Sequence, residues 1–387
     1  MGMTMFVPLH SGSRSRGAVG PVNGGEGAGM PGPSALHCVP EHVQPMRLLL
    51  SLLAVAPSRS GLYRGLWRPL LFTLVLAGTG ALSWAALLDT RFPKALIVGT
   101  AGLSLASVAG WLSLAHYLGS GHSRASAGFL LSLAEGQMRL RLRSTTRLYA
   151  FGALLASVVL SVGWLAVSWM AVSGIDNNDG VDDDPDSSMP IFYILYAVAV
   201  PVNVTVFVFA VAVAALMAHI SRAQVVALAV SMEDGTLSME RVVRKHATMA
   251  RLARRLSSLM QSFVVPVFII FPLSISYQLW DAARASERAD NELNGKYYLV
   301  IYALALILVA TIFTSINRKF SSLTDTAAQL HRVGSHSLTD INTLLGYLAA
   351  SRPPFLIMGA APSPAIVPIL ILAFFGVVGT LIHQVSL

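Results

Sequence analysis

Seven apolar runs, near residues 69–88, 95–117, 148–173, 190–217, 262–280, 297–316 and 364–386, contain no Asp, Glu, Lys or Arg. Each is close to or above the roughly 20 residues that a helix needs to cross the ~30 Å hydrocarbon of a bilayer. In hydrocarbon every backbone N–H and C=O must be satisfied within the protein, which restricts such runs to helices. The expected fold is therefore all-α, a polytopic membrane protein with seven transmembrane helices. A length of 387 residues would allow two or three soluble domains, but only 12% of residues are charged and 54% are hydrophobic.

Because the runs are free of charge, every ionisable residue can be assigned to one side. With the amino terminus inside, the inner segments carry 22 basic and 8 acidic residues, and the three outer loops carry 5 basic and 11 acidic. This bias predicts a cytoplasmic amino terminus and an extracellular carboxyl terminus. The net charge of +8 is dispersed between apolar runs, so it reports topology and not a nucleic-acid surface.

Residues 1–44 are rich in Gly, Pro and Ser without apolar periodicity and are expected to form a disordered tail ahead of one membrane domain, 45–387. Arg47 to Pro57 imitates a signal-peptide core, with Ala54 and Ala56 spaced like a cleavage site. Cleavage there would leave Arg59, Arg64 and Arg68 outside, against the charge bias, so a short helix on the inner surface is preferred. A cytosolic helical bundle is expected from 218–261 and 317–361. Met249, Leu252, Leu256, Leu259 and Phe263 recur at helical spacing, with Arg241, Arg244, Lys245, Arg251, Arg254 and Arg255 on other faces. Glu233, Asp234 and Gly235 break the preceding helix, and Ser238 can cap the next, which makes a helical hairpin. Leu338, Ile341, Leu344, Leu345 and Leu348 form a second stripe, opened by Ser337 with Asp340 and closed before Pro353 and Pro354. That helix is expected to lead directly into the last span.

Little in the chain suggests chemistry. Cys38 is the only cysteine, so neither an intramolecular disulfide nor a cysteine metal site is available. Asp176, Asp179, Asp182, Asp183, Asp184 and Asp186 crowd one outer loop, but placing Gly180 at the sixth position of a calcium loop puts Ile175 at the first. The cluster reads as a solvated loop that concentrates cations at the outer face. The histidine pairs His331/His336 and His116/His122 miss the i, i+4 spacing of a helical zinc site. No phosphate loop, nucleophile elbow or dinucleotide fingerprint is present, and Asn203-Val204-Thr205 is a sequon buried in a span. The expectation is a protein that is not an enzyme, with no metal or cofactor.

Polar and aromatic residues gather in the outer halves of the middle spans: Trp164, Ser168 and Trp169; Tyr193 and Tyr196; Ser274, Tyr277 and Gln278; Tyr298 and Tyr302. Such residues form either an interfacial belt or a small-molecule pocket. In the last run, Gly376, Thr380, His383 and Gln384 recur at i, i+4, i+7 and i+8, a polar stripe that either packs against a neighbouring helix or lines a water-filled path.

Seven spans, an inner amino terminus, a pre-span helix, a long inner hairpin between spans four and five and an inner helix feeding the final span together resemble the insect gustatory and odorant receptor superfamily and its gustatory-receptor-like relatives in other eukaryotes, as a distant member outside the insect receptors proper, over roughly residues 46–387. Insect gustatory receptors end the last span with Thr-Tyr, five variable residues and Gln-Phe. Here Gly379-Thr380-Leu381-Ile382-His383-Gln384-Val385 keeps the Thr and Gln, with the Gln three positions early and neither aromatic residue. The resemblance implies a chemosensory, ligand-gated cation channel subunit of the plasma membrane, assembled as a homotetramer whose inner helices hold the subunits together. It implies Val377, Thr380, Leu381 and Gln384 as pore-lining residues. It implies Trp164, Ser168, Tyr193, Tyr196, Tyr277, Gln278 and Tyr302 as a pocket for an unknown small-molecule ligand.

Two other classes fit seven spans less well. A G-protein-coupled receptor would need an outside amino terminus, and neither Asp-Arg-Tyr after span three nor Asn-Pro-x-x-Tyr in span seven occurs. A carrier with inverted repeats is disfavoured by the odd span count. A non-conducting membrane scaffold meets every constraint above.

Overall fold

The computed structural model describes residues 94–119, 136–178, 189–235, 237–284, 292–333, 337–351, 353–357, 359–363, 365–366, 368–370, 372–373 and 376. The expected tail, the pre-span helix and the first span lie outside the described residues. Among the described residues six helices follow in order: α1 (Lys94–Gly119), α2 (Gly136–Asn178), α3 (Met189–Glu233), α4 (Met239–Arg284), α5 (Glu292–Val333) and α6 (Leu338–Ala350). No strand occurs among the described residues beyond one isolated bridge, Ile357 with Ala360. The protein is all-α and integral to the membrane. Four described helices are long and apolar enough to span a bilayer, and α1 holds a shorter apolar segment, Val98–Leu114.

The helices pack as the residue types on their faces dictate. Helix α1 is apolar around its whole circumference and sits against α3 and α4, with Leu103, Ala106, Ser107 and Leu114 all buried. Where α1 passes α3, a Cβ on Gly110 would lie 2.8 Å from the Cβ of Ala210, so only glycine permits this approach. Helix α2 is the outlying member. Leu148, Phe151, Leu155, Val158 and Val162 recur at helical spacing and are exposed, forming a continuous face for lipid.

The hairpin forms where the sequence predicts it. Helix α3 ends at Glu233, and Gly235 takes φ 64°, the left-handed conformation that terminates helices. The Gly235 amide reaches the Met232 carbonyl at 3.2 Å, and the Ser238 carbonyl accepts the Val242 amide at 3.0 Å to open α4. Met249, Leu256, Leu259 and Phe263 are buried, while Arg251, Arg254 and Arg255 are exposed. Helix α4 then runs without a break to Arg284, with Pro266 and Pro272 inside it.

Helix α6 buries Ile341, Leu344 and Leu348 and stops at Ala350, before the paired prolines. Two details differ from the sequence reading. Leu338, assigned to the apolar stripe, is exposed, because the stripe turns inward only from Ile341; and Ser337 caps through its carbonyl, with no side-chain hydrogen bond. Nor does α6 run straight into the last span. A link containing the Ile357–Ala360 bridge and Gly359 at φ 81° intervenes, and helical hydrogen bonding resumes from Ser363 to Ile366.

Candidate functional site

Among the described residues, two places in the bundle that combine space with polar or aromatic groups stand out. The first is a cavity of about 440 Å³ bounded by α2, α3 and α5, with α1 and α4 contributing Leu103 and Phe271. Its volume falls in the ~300–1,000 Å³ range of small-molecule sites. One end is built from rings. Trp164, almost fully buried, meets Tyr297 edge-on at 6.2 Å and Tyr302 at 6.4 Å. Tyr302 stacks on Phe271 at 4.5 Å, and Phe271 meets Phe207 at 5.5 Å. These contacts hold the aromatic wall in one arrangement. The Tyr302 hydroxyl donates to the Gly99 carbonyl, and the Tyr297 hydroxyl donates to the Leu160 carbonyl at 3.3 Å. Both aromatic residues are thereby tied to neighbouring helices. The remaining walls are aliphatic apart from Tyr149 near the other end, and no charged side chain lines the cavity.

Beside it, α1 and α3 are joined by a buried polar seam. Asn203 Nδ2 donates to Ser104 Oγ at 2.9 Å, and Ser107 Oγ lies 2.7 Å from the Asn203 carbonyl. Asn203 Oδ1 is buried and has no hydrogen-bond partner among the described residues.

The second place is at the hairpin end. His246 of α4 is buried and pairs with Tyr347 of α6, Nδ1 to hydroxyl at 3.1 Å, with Phe320 of α5 edge-on at 5.7 Å. Burial, reinforced by the Arg254 guanidinium, lowers the His246 pKa and keeps the ring neutral. Burial raises the Tyr347 pKa, with Arg254 opposing it. A cleft of about 770 Å³ with a mixed lining, His246, Thr314 and Arg318 beside Phe320, Leu348 and Pro354, opens alongside. The link after α6 is fastened to two helices here. Asn317 binds the Phe355 backbone twice, donating to its carbonyl at 2.9 Å and accepting its amide at 3.0 Å. Ser257 does the same for Leu356 at 2.8 and 3.1 Å, and Phe355 stacks on Phe313 at 4.4 Å.

Of the residues expected to form a ligand pocket, Trp164 and Tyr302 meet in the cavity. Tyr277 packs beside Trp280 at 6.0 Å and Gln278 is buried in α4, neither of them at the cavity. The side chains of Ser168, Tyr193 and Tyr196 lie outside the described residues, as do Val377, Thr380, Leu381 and Gln384. The cavity also reaches deeper than the expected outer-half pocket, along α2 from Trp164 to Leu148 and Tyr149 near the hairpin end. Sequence reasoning missed Leu103, Gly152, Val204 and Phe207, since small and aliphatic residues in a span carry no signal that separates cavity wall from packed core. Among the described residues no group of three or more His, Cys, Asp or Glu could hold a metal.

No family model matches the chain, and no curated protein matches its sequence. Among solved structures, the chain is similar to the insect olfactory receptor OR5 from Machilis hrabei, with a TM-score of 0.61 and 12% identity over 88% of this chain and 97% of that one. At that identity the likeness establishes the fold, and it extends over nearly the whole receptor.

Proposed function

We propose that the chain is a subunit of a ligand-gated cation channel, with a chemosensory role and a small-molecule ligand held in the cavity closed by Trp164 and Tyr302. The observation that carries this reading is that cavity. It lies inside a membrane bundle with the fold of an olfactory receptor, and it is walled by two of the residues singled out for ligand binding. The Asn317 and Ser257 clamps support a route from ligand to pore, because they join α4 and α5, which also wall or flank the cavity, to the link feeding the last span.

In this reading the subunits form a homotetramer in the plasma membrane, with the amino terminus cytoplasmic and the carboxyl terminus extracellular. The last spans meet at a central pore lined by Val377, Thr380, Leu381 and Gln384, and the acidic outer loop concentrates permeant cations at its entrance. Patch-clamp recording from cells expressing the full chain, while a panel of apolar small molecules is applied, tests the proposal. A ligand-evoked cation current whose selectivity changes with Gln384→Lys is the expected result. Currents indifferent to substitution at all four pore positions would remove the last span from the pore, and a tag at residue 1 found on the cell exterior would overturn the topology.

A further inference from the structure

Among the described residues the wall of the cavity is incomplete on one side. Leu148 is 70% exposed and Leu304 and Leu308 are each 50% exposed, yet all three line the cavity, as does the exposed Gly152. They sit on the edges of α2 and α5, two helices that touch each other only sparsely. All four positions belong to charge-free spans, so the medium outside this gap is hydrocarbon and not water.

We propose that the cavity fills sideways from the bilayer, through the gap between α2 and α5, and that its occupant is a chain-like lipophile ending in one uncharged hydroxyl or carbonyl group. This rests on the reading of the cavity as the ligand site. Shape argues for a chain. The lining follows α2 from Leu148 to Trp164, about 24 Å at 1.5 Å per residue, but follows α5 only from Ile301 to Leu308, about 10 Å. Chemistry argues for a single polar end: at the Trp164 end the Tyr302 hydroxyl is taken up by the Gly99 carbonyl, so Tyr149, at the opposite end, is the lining tyrosine placed to meet a ligand's polar group. No cation is present to offset the desolvation of a carboxylate or phosphate, and too few partners exist for a sugar. Access argues for the bilayer. The exposed face of Phe151, Leu155, Val158 and Val162 continues from Gly152 along α2, so a molecule dissolved in lipid meets apolar surface all the way to the gap.

The test uses the full chain in neutral-lipid nanodiscs, loaded with a long-chain alcohol that carries a diazirine, followed by photolysis and peptide mapping. Labelling is expected on α2 between 148 and 164 and on α5 between 301 and 308. An unlabelled long-chain alcohol should compete; its sulfate ester and glucose should not. A Cβ at Gly152 meets nothing within 4 Å, so Gly152→Phe can fill the mouth without a clash, and it should lower labelling about tenfold. Gly346 is equally open but lies on α6, and Gly346→Phe should leave labelling unchanged.

Label spread along the exposed face of α2 and indifferent to Gly152→Phe would reduce the observation to ordinary lipid contact and overturn the proposal. So would crosslinks from Leu304 or Leu308 to a second copy of the chain, which would make the gap a subunit contact. The channel reading fails separately. Specific labelling without any current keeps the lateral site and removes the channel, whereas currents evoked by a water-soluble ligand without labelling keep the channel and remove the lateral site.

Discussion

The two ends of the helical bundle are built on opposite principles. Around the cavity, α2 is held mainly by its packing on α3, one flank is open among the described residues, and the lining is aliphatic and aromatic with no charged group. At the hairpin end, three helices and the following link are cross-tied by directed bonds: Asn317 to Phe355, Ser257 to Leu356 and His246 to Tyr347. Apolar packing in lipid is weakly directional, so the cavity region can accommodate ligands by small side-chain shifts. Paired hydrogen bonds fix distance and angle, so the other end transmits displacement instead of absorbing it. On the proposed function, the first region would serve sensing and the second coupling.

The largest effect should come from Trp164→Ala. The substitution removes the ring that closes the cavity and should destabilise the purified protein by about 3 kcal/mol, near the lower end for truncating a buried Trp. Thermal unfolding followed by size-exclusion fluorescence measures it, and lipophile labelling should fall in the same preparation. If labelling falls with no change in unfolding, the ring binds ligand without supporting the wall. Next is Asn317→Leu, which strands the Phe355 amide and carbonyl and should cost about 2 kcal/mol. This substitution is the sharpest test of the comparison, because it should leave labelling of the cavity intact while abolishing or altering gating. Equal loss of both would merge the two regions into one.

A pH dependence of stability should follow from His246. Its folded pKa is lowered, so the unfolded chain binds the extra proton first as pH drops. Stability contributed by the neutral ring is therefore present at neutral and alkaline pH, and it is lost as pH falls through and below the ordinary imidazole range. Melting of the wild type should show this slope, and His246→Phe should flatten it. The smallest effect is expected from Asn203→Leu, roughly 0.6 kcal/mol, the mean for an interhelical hydrogen bond in a membrane. With Oδ1 already unpartnered, the replacement gives up only the bond to Ser104 and the fit of the seam.

Much of this architecture was legible because charge-free runs and helix punctuation are local signals. The turn at Asp234 and Gly235, the buried stripe from Met249 to Phe263 and the stop after Ala350 all follow from residue types within a few positions. Trp164 and Tyr302 could be singled out because a large ring with a polar group stands out in an aliphatic run, and both line the cavity. The rest of the cavity was not. Gly152 and Leu304 differ from lipid-facing neighbours only in which helix lies across from them, which is set by packing and not by local sequence. The clamps were also hidden. Asn317 looks like any polar residue at the end of a span, and its partner is a backbone segment 38 positions away. The expected direct passage from α6 to the last span overlooked that Pro353 and Pro354 end one helix without starting another, so an anchored link had to bridge the interval.

The unbroken length of α4 has a mechanical consequence. Its 46 residues make a rod of about 69 Å, and the two prolines that interrupt its hydrogen-bond ladder both lie in the portion beside the cavity. From Pro266 to the hairpin tip at Met239 is about 40 Å, so a bend of only ~5° at that proline swings the tip by roughly 3.5 Å. Leverage of this size turns a rearrangement too small to disturb the membrane portion into a stroke as large as a side chain at the opposite extremity.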